Sequence, residues 1–396
     1  MKEIDGGLEN VPGYSFSATE CGIRYPGRLD YCLIVSERLC SASGVFTTNK
    51  IQAAPVRLCR ARISEKVKAI LINSTNANAC TGEEGYLNSE KLTRDIAGRL
   101  GVPQSSVLMA STGIIGQQLP FEKMKKAHDT LIAALSSENG KLLPTAIMTT
   151  DTKPKHACVS FTTTKGEFRI AGTAKGAGMI APNMATLLCF AITDAPVRKP
   201  DLDAIFLRCV GKTLNAITID GDMSTNDTAI ILSPESESPL VKPSDLHEFE
   251  EALGGLLSRL SEMLIADGEG ATKSVTIIVK NAKTGKDASR IARAVAESLL
   301  VKTAFFGNDP NWGRIAAAAG YSGADVDESR LSIAFDNLPL LVNGTPTEFD
   351  RNLLVGIMRN NAFSVTVDIG LGKSAASMLT TDISIDYVKI NADYST

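Results

Sequence analysis

The chain has 396 residues, 44% hydrophobic and 21% charged, with a formal net charge of -3. That length carries two to three modest domains or one large layered body with an ample core. The balanced charge leaves no electrostatic footprint for nucleic acid or an anionic membrane, and no run approaches the roughly 20 apolar residues needed to span a bilayer.

Residues 1–7 show no basic segment followed by an apolar one and no Arg/Ser-rich amphipathic pattern, which argues against export or import and for the cytoplasm. Eight cysteines (Cys21, Cys32, Cys40, Cys59, Cys80, Cys158, Cys189, Cys209) form no CxxC pair and stand apart from His128, His156 and His247. Reduced, mostly buried thiols are expected, with no metal site and no disulfide framework. Val67–Asn73 is an apolar run of strand length, and after a polar loop Leu92, Ile96 and Leu100 recur at helical spacing. Residues 107–110 read as a short strand, 121–135 as a helix, and 156–164 with 167–172 as a hairpin turning at Lys165-Gly166. Pro243-Ser244-Asp245 opens a long helix whose Leu246, Phe249, Leu253, Leu256, Leu260 and Leu264 face one side. Further on, 275–279 reads as a strand, 289–300 as a helix, and 331–342 and 364–369 as strands. Strand-like runs alternating with amphipathic helices predict an α/β or α+β body, layered sheets flanked by helices, with no repeat or flexible linker.

Four polar loops beside apolar strands are candidate binding loops. In Ser111-Thr112-Gly113-Ile114-Ile115-Gly116, Gly113 lets a backbone N–H point at a ligand and the Thr112 hydroxyl adds a second donor, the two parts of an oxyanion hole; a plain turn fits the same residues. Met148-Thr149-Thr150-Asp151-Thr152 is dense in hydroxyls and fits a solvated Asx/Ser-Thr turn equally. Asp220-Gly-Asp-Met-Ser-Thr-Asn-Asp227 lacks the ligand spacing and closing glutamate of an EF-hand, so no metal is assigned to it. Asp267-Gly268-Glu269-Gly270-Ala271-Thr272-Lys273 follows the long helix and also fits a cap plus turn. Residues 307–314 hold the only tryptophan, Trp312, a residue that packs more often than it recognises.

The sharpest chemistry lies in Lys175-Gly-Ala-Gly-Met-Ile-Ala-Pro-Asn-Met-Ala-Thr186. A threonine after the small Ala185, at the mouth of an apolar run, is where a chain can cut itself and expose an N-terminal nucleophile. The freed α-amine, with a pKa of about 7.7 to 8.0, then serves as base for the hydroxyl of the same residue. A strand-entry threonine kept for β-propensity is the plain alternative. Gly172, Gly176 and Gly178 do not fit Rossmann spacing, and no Gly-Lys-Ser/Thr follows as a phosphate loop requires. None of the histidines lies in these loops, which turns the argument away from a Ser-His-Asp arrangement and toward a nucleophile carrying its own base. Composition does not shift at residue 186, so a cut there would leave two interlocked pieces of one folded body.

In order and over nearly the whole chain, Gly44-Val-Phe-Thr-Thr-Asn49, Ala53-Ala-Pro-Val56, the loops at 111–116 and 148–152, and Ile390-Asn-Ala-Asp-Tyr-Ser-Thr396 resemble the ornithine acetyltransferase family, the bifunctional glutamate N-acetyltransferases of arginine biosynthesis. The resemblance implies a fold like that of the family and of N-terminal-nucleophile aminopeptidases. It implies cleavage between Ala185 and Thr186 into an α chain of residues 1–185 and a β chain of residues 186–396, assembled as two α and two β chains. Thr186 is then the nucleophile of a ping-pong transfer from N-acetylornithine to glutamate, and Thr112 and Gly113 match the oxyanion hole. Thr149, Lys175, Thr186, Glu269, Asn391 and Thr396 match substrate contacts, with Thr150 adjoining as the neighbour that Thr149 must be told from. No metal or organic cofactor is implied; acetyl-CoA stays open as a second donor, and an N-terminal-nucleophile amidohydrolase or aminopeptidase is the nearest rival. The chain departs from the family at Ala177, often serine, at Leu187, often methionine, and at Ser395, commonly arginine, which bears on the contact through Thr396.

Overall fold

A computed structural model describes residues 1–181 and 187–393. Ala185, Thr186 and Thr396 lie outside the described residues. Among those described, the strands form two sheets, one of nine strands and one of seven. The larger is built from β1 (Lys2–Ile4), β2 (Tyr14–Thr19), β3 (Tyr31–Phe46), β4 (Val67–Asn73), β5 (Val107–Ser111), β6 (Lys155–Thr163), β7 (Gly166–Lys175) and β8 (Leu188–Thr193). The short β9 (Ile217–Thr218) crosses to the smaller sheet, and β10 (Thr228–Pro234) returns to the larger. Its order is β1-β6-β7-β8-β10-β3-β4-β5, with β2 beside the first half of β3. Helices Lys199–Lys212 and Pro243–Ala266 pack against it, the layered α/β body that the alternation of runs predicts.

The apolar run after residue 186 is a strand inside that sheet. β8 pairs antiparallel with β7 and parallel with β10, so it has no open edge. Cys189 and Ala191 join the core under the helices Lys199–Lys212 and Pro243–Ala266, while Leu188, Phe190 and Ile192 join the core on the opposite face with Phe16, Ile34 and Ile230. A strand buried on both faces reads as a continuous apolar run rather than an alternating one. Chain on either side of residues 182–186 is thereby interleaved in a single sheet.

The smaller sheet holds β11 (Ser274–Ala282), β12 (Ser332–Phe335), β13 (Leu338–Val342), β14 (Thr345–Pro346), β15 (Ala362–Asp368) and β16 (Ser374–Thr381), in the order β14-β13-β12-β15-β11-β16-β9. Helices Gly285–Glu297, Trp312–Gly320 and Arg351–Arg359 close its core, in which the Phe363 ring lies 5.4 Å from Phe305 and 6.0 Å from Phe335.

Two element expectations are corrected here. The helix expected over 289–300 is two helices, Gly285–Glu297 and Leu299–Phe306, divided at Ser298, which leaves helical geometry and accepts the Val301 N–H at 3.4 Å to cap the second. The strand expected over 331–342 is a hairpin, β12 and β13, turning at Asp336, whose φ of 47° is left-handed. The 16-residue β3 was not legible as a strand because Ser36 to Arg38 interrupt its apolar pattern where its register on β4 slips between Val35 and Cys40.

Candidate functional site

The loops that leave the large sheet converge on one cleft, lined by Thr112, Gly113, Ile115, Thr149, Thr150, Lys175, Gly178, Met179, Ser224, Thr225, Asn226, Glu269 and Asn391. Six of the sequence-derived site residues, Thr112, Gly113, Thr149, Lys175, Glu269 and Asn391, are therefore neighbours in space although up to 279 positions separate them. Thr149 and Thr150 both face the cleft, so position alone does not choose between them. The strand ends are tied by Asn226, just before β10, whose amide donates to the Ala77 carbonyl at 2.6 Å and the Ser111 carbonyl at 2.7 Å.

Gly113 sits at a φ of 132°, and a Cβ there would overlap the Thr75 carbonyl group and the Asn76 nitrogen, so only glycine fits. Thr75 itself holds a φ of 72°, a strained conformation for a β-branched residue, and among the described residues its buried hydroxyl has no partner. Beside them, the Thr112 hydroxyl accepts a hydrogen bond from Lys175 Nζ at 3.4 Å, which leaves its own proton for donation into the cleft.

Lys175 closes β7 and is 3% exposed. Its cationic form depends on a buried chain of alternating charge. Asp151 lies 3.9 Å from Lys175 Nζ, and its two oxygens accept from Lys155 Nζ at 2.7 Å, the Gly176 N–H at 2.6 Å and the Thr149 N–H at 3.0 Å. Lys155 in turn reaches Asp267 at 2.6 Å. Asp267 caps the C-terminal end of helix Pro243–Ala266, where a carboxylate meets the negative end of the helix dipole; Lys155, the Thr152 N–H at 3.0 Å and the Thr152 hydroxyl offset that repulsion. Burial pushes the Asp151 carboxyl up, but Lys175 and Lys155 outweigh it and bring the pKa down to about 2. Burial holds the Lys175 ammonium below its usual range, while Asp151 opposes the shift. Because Asp151 takes its hydrogen bonds from other donors, Lys175 keeps N–H groups for an anionic ligand.

Glu269 follows the same helix. Its N–H donates to the Ala177 carbonyl at 2.7 Å, and its carboxylate lies against Gly178, where any Cβ would overlap it. Asn391, on the C-terminal helix Ile385–Asp393, donates to Glu269 Oε2 at 2.9 Å. Tyr387 on that helix donates to Asp220 at 3.3 Å, and Asp220 accepts the Met179 and Ile180 N–H groups at 2.5 and 2.8 Å. Burial raises the Asp220 carboxyl to about 6. The calcium-like appearance of the 220–227 loop thus belongs to a brace between the glycine loop and the C-terminal helix.

Sequence reasoning named the loops that hold Asp151, Met179 and Asn226 without giving these three residues a part, and it passed over Lys155 and the strained turn at Thr75. Of these only Asp151 and Lys155 carried a signal, opposite charges four residues apart at the entry to an apolar strand. Among the described residues no histidine lines the cleft: His128, on the buried face of the helix Phe121–Ala133, bonds Tyr31 at 2.8 Å and Asp95 at 2.6 Å.

Comparison with known proteins places this site in context. The ArgJ family model matches residues 15–396. The chain is similar to the arginine biosynthesis bifunctional protein ArgJ of Geobacter sulfurreducens, 47% identical over 98% of this chain and 100% of the relative. It is also similar to that of Caldanaerobacter subterraneus subsp. tengcongensis, 43% identical over the full length of both. Among solved structures it resembles the arginine biosynthesis bifunctional protein argJ of Bacillus halodurans, 33% identical with a TM-score of 0.49 over 52% of this chain and 98% of that one.

Proposed function

Since this chain belongs to the ArgJ family, whose relatives above are arginine biosynthesis bifunctional proteins, we propose that it is an acetyltransferase of arginine biosynthesis that moves an acetyl group from N-acetylornithine to glutamate. In this reading the chain cleaves itself between Ala185 and Thr186, and the freed α-amine of Thr186 acts as base for its hydroxyl. The hydroxyl attacks the donor amide, the Thr112 hydroxyl and the Gly113 N–H stabilise the oxyanion, and ornithine leaves while acetyl-Thr186 remains. Glutamate then takes the acetyl group by the reverse steps. Lys175 pairs with the α-carboxylate that donor and acceptor share, Glu269 held by Asn391 orients the amine, and Thr149 and Thr396 complete the contacts. Donor and acceptor amides are alike, so the exchange is close to thermoneutral.

The observation that carries this reading is the convergence of Thr112, Gly113, Thr149, Lys175, Glu269 and Asn391 on one cleft. In the same reading the enzyme works in the cytoplasm as two α and two β chains, without a bound metal or organic cofactor. Denaturing electrophoresis should show two bands near half size, and Thr186→Ala a single full-length band with no transfer. Purified protein is then given N-acetylornithine with and without glutamate; acetate release that ignores glutamate would replace the transferase with the hydrolase. Acetyl-CoA with glutamate, assayed in parallel, tests the second donor.

A further inference from the structure

Asn226 lines the cleft, yet the steps above give it no part. It is buried, and its side-chain amide is fully engaged by the protein. The two amide hydrogens go to the Ala77 carbonyl at 2.6 Å and the Ser111 carbonyl at 2.7 Å, 149 and 115 positions away in the chain. The amide oxygen accepts the Thr225 hydroxyl at 2.6 Å. Carbonyl oxygens only accept, so the nitrogen faces them and the amide has a single orientation. Its backbone is held as well, the N–H donating to Ser224 Oγ at 3.0 Å and the carbonyl accepting the Thr228 hydroxyl at 2.9 Å. With both amide hydrogens committed, Asn226 has none left to offer a substrate, although it faces the cleft.

The two carbonyls show what the amide holds. The peptide unit from Ser111 to Thr112 is pinned at both edges: its carbonyl takes the Asn226 hydrogen bond, and its N–H donates to the Asn73 carbonyl at 3.0 Å. A peptide unit is planar, so these two bonds fix its plane and with it the direction in which the chain enters Thr112 and Gly113. Ala77 belongs to the segment on which Gly113 rests, where a Cβ on Gly113 would overlap the Thr75 carbonyl group and the Asn76 nitrogen. The Ala77 N–H donates to the Ile114 carbonyl at 2.9 Å, and isolated bridges join Asn76 to Thr112 and to Ile114. One amide therefore spans the segment that carries Thr112 and Gly113 and the segment beneath it. Oxyanion donors act when they lie within about 2.7 to 3.1 Å of the developing charge, and a displacement of about 1 Å can cost roughly a hundredfold in rate.

We propose that Asn226 is the positioning residue of the oxyanion hole, clipping the Ser111–Thr112 peptide to the segment beneath Gly113 so that the Thr112 hydroxyl and the Gly113 N–H keep one fixed aim. The proposal rests on the reading above in which those two groups stabilise the oxyanion. An oxyanion exists only in the tetrahedral states, so a slackened hole weakens the transition state and leaves the ground-state binding of donor and acceptor intact. Loss of the clip is therefore read in kcat, whereas loss of a substrate contact shared by ground and transition states is read in KM.

Asn226→Ala removes both donors. With N-acetylornithine and glutamate as substrates, kcat and KM are measured per cleaved chain in wild type, Asn226→Ala, Thr112→Val and the double variant, beside the melting temperature of each. The expected result is a kcat about twentyfold lower in Asn226→Ala with KM within about twofold, and a loss of less than about fivefold when the same change is made in Thr112→Val, where the hole has already lost a donor. A raised KM at unchanged kcat makes Asn226 a substrate contact, and a lower melting temperature with both constants unchanged makes it a structural tie. Either result overturns the proposal, as does a loss of kcat that persists undiminished in the Thr112→Val background. A wild type that transfers no acetyl group, or a Thr112→Val enzyme at full turnover, removes the reading beneath the proposal instead. Should Asn226→Ala not fold or not cleave, Thr225→Val keeps the shape of its side chain and takes away the hydroxyl that steadies the amide. A kcat about threefold lower at constant KM then supports the proposal, and an unchanged kcat overturns it.

Discussion

The two sheets are packed by the same apolar side chains but treat buried polarity in opposite ways. Around the larger sheet, Asn73, Ser74, Thr75, Asn76, Asn78, Ser111, Thr112, Asp151, Lys155, Lys175, Asn226 and Asp227 are all buried where its strands begin or end. From Ser274 to Thr381 the buried polar residues are Lys302, Thr380 and Thr381, and the remaining interior is aliphatic and aromatic. Buried polar groups cost stability unless each is paired. Their concentration at the cleft marks where the fold gives up stability for chemistry, while the smaller sheet is built for packing and reaches the site through its connections: the loop after β9 with Ser224, Thr225 and Asn226, the turn before β11 with Glu269, and the C-terminal helix with Asn391.

Substitutions on the two sides should separate stability from activity. Phe335→Ala, in the stack of the smaller sheet, should cost about 4 kcal/mol in chemical denaturation and leave kcat of the folded enzyme unchanged. A matching fall in kcat would break the comparison by showing that the two cores are coupled. Thr112→Val keeps the shape of the side chain and removes a donor worth about 3 kcal/mol in the transition state. Turnover should drop about a hundredfold while the melting temperature stays within a few degrees; an unaltered turnover would take Thr112 out of the oxyanion hole.

Acid should act first on the larger sheet. Asp151 has a folded pKa of about 2 against the ordinary 3.8, so its contribution is complete above the unfolded value and disappears as pH falls through the folded one. That loss is about 2 kcal/mol between roughly pH 4 and 2, read as a falling denaturation midpoint, and Asp151→Asn should flatten the slope. The smallest effect is expected at the exposed hydrogen bond of the C-terminal helix. Asn391→Ala should reduce kcat/KM about fivefold, near 1 kcal/mol, with no change in the extent of self-cleavage.

The legible parts of the fold were those with one strong period. Val67–Asn73 was readable as a strand and Pro243–Ala266 as a helix because their apolar residues recur at spacings that only one element satisfies. The helix over 289–300 and the strand over 331–342 failed because a single capping serine and a single left-handed aspartate divide them, and one residue barely alters a periodic pattern. At the site, Thr112, Gly113, Lys175 and Glu269 were named from ordered motifs, whereas the support beneath them was not. Asp267 holds Lys155, Lys155 holds Asp151, and Asp151 faces Lys175 across positions up to 116 apart, so no local spacing records the chain.

By itself the amino-acid sequence determined the alternating layers, the family and the residues that bear reactive or charged groups, since these depend on local period and side-chain chemistry. Tertiary structure alone decided which of those groups meet. Pairing of β8 between β7 and β10 sets Leu187 against Asp227, and the approach of Glu269 to Gly178 joins the long helix to the glycine loop. The physical reason is that burial and distance set the charge on a carboxyl or an ammonium. Asp151 at about 2 and Asp220 at about 6 are the same side chain, separated by what the fold packs around each.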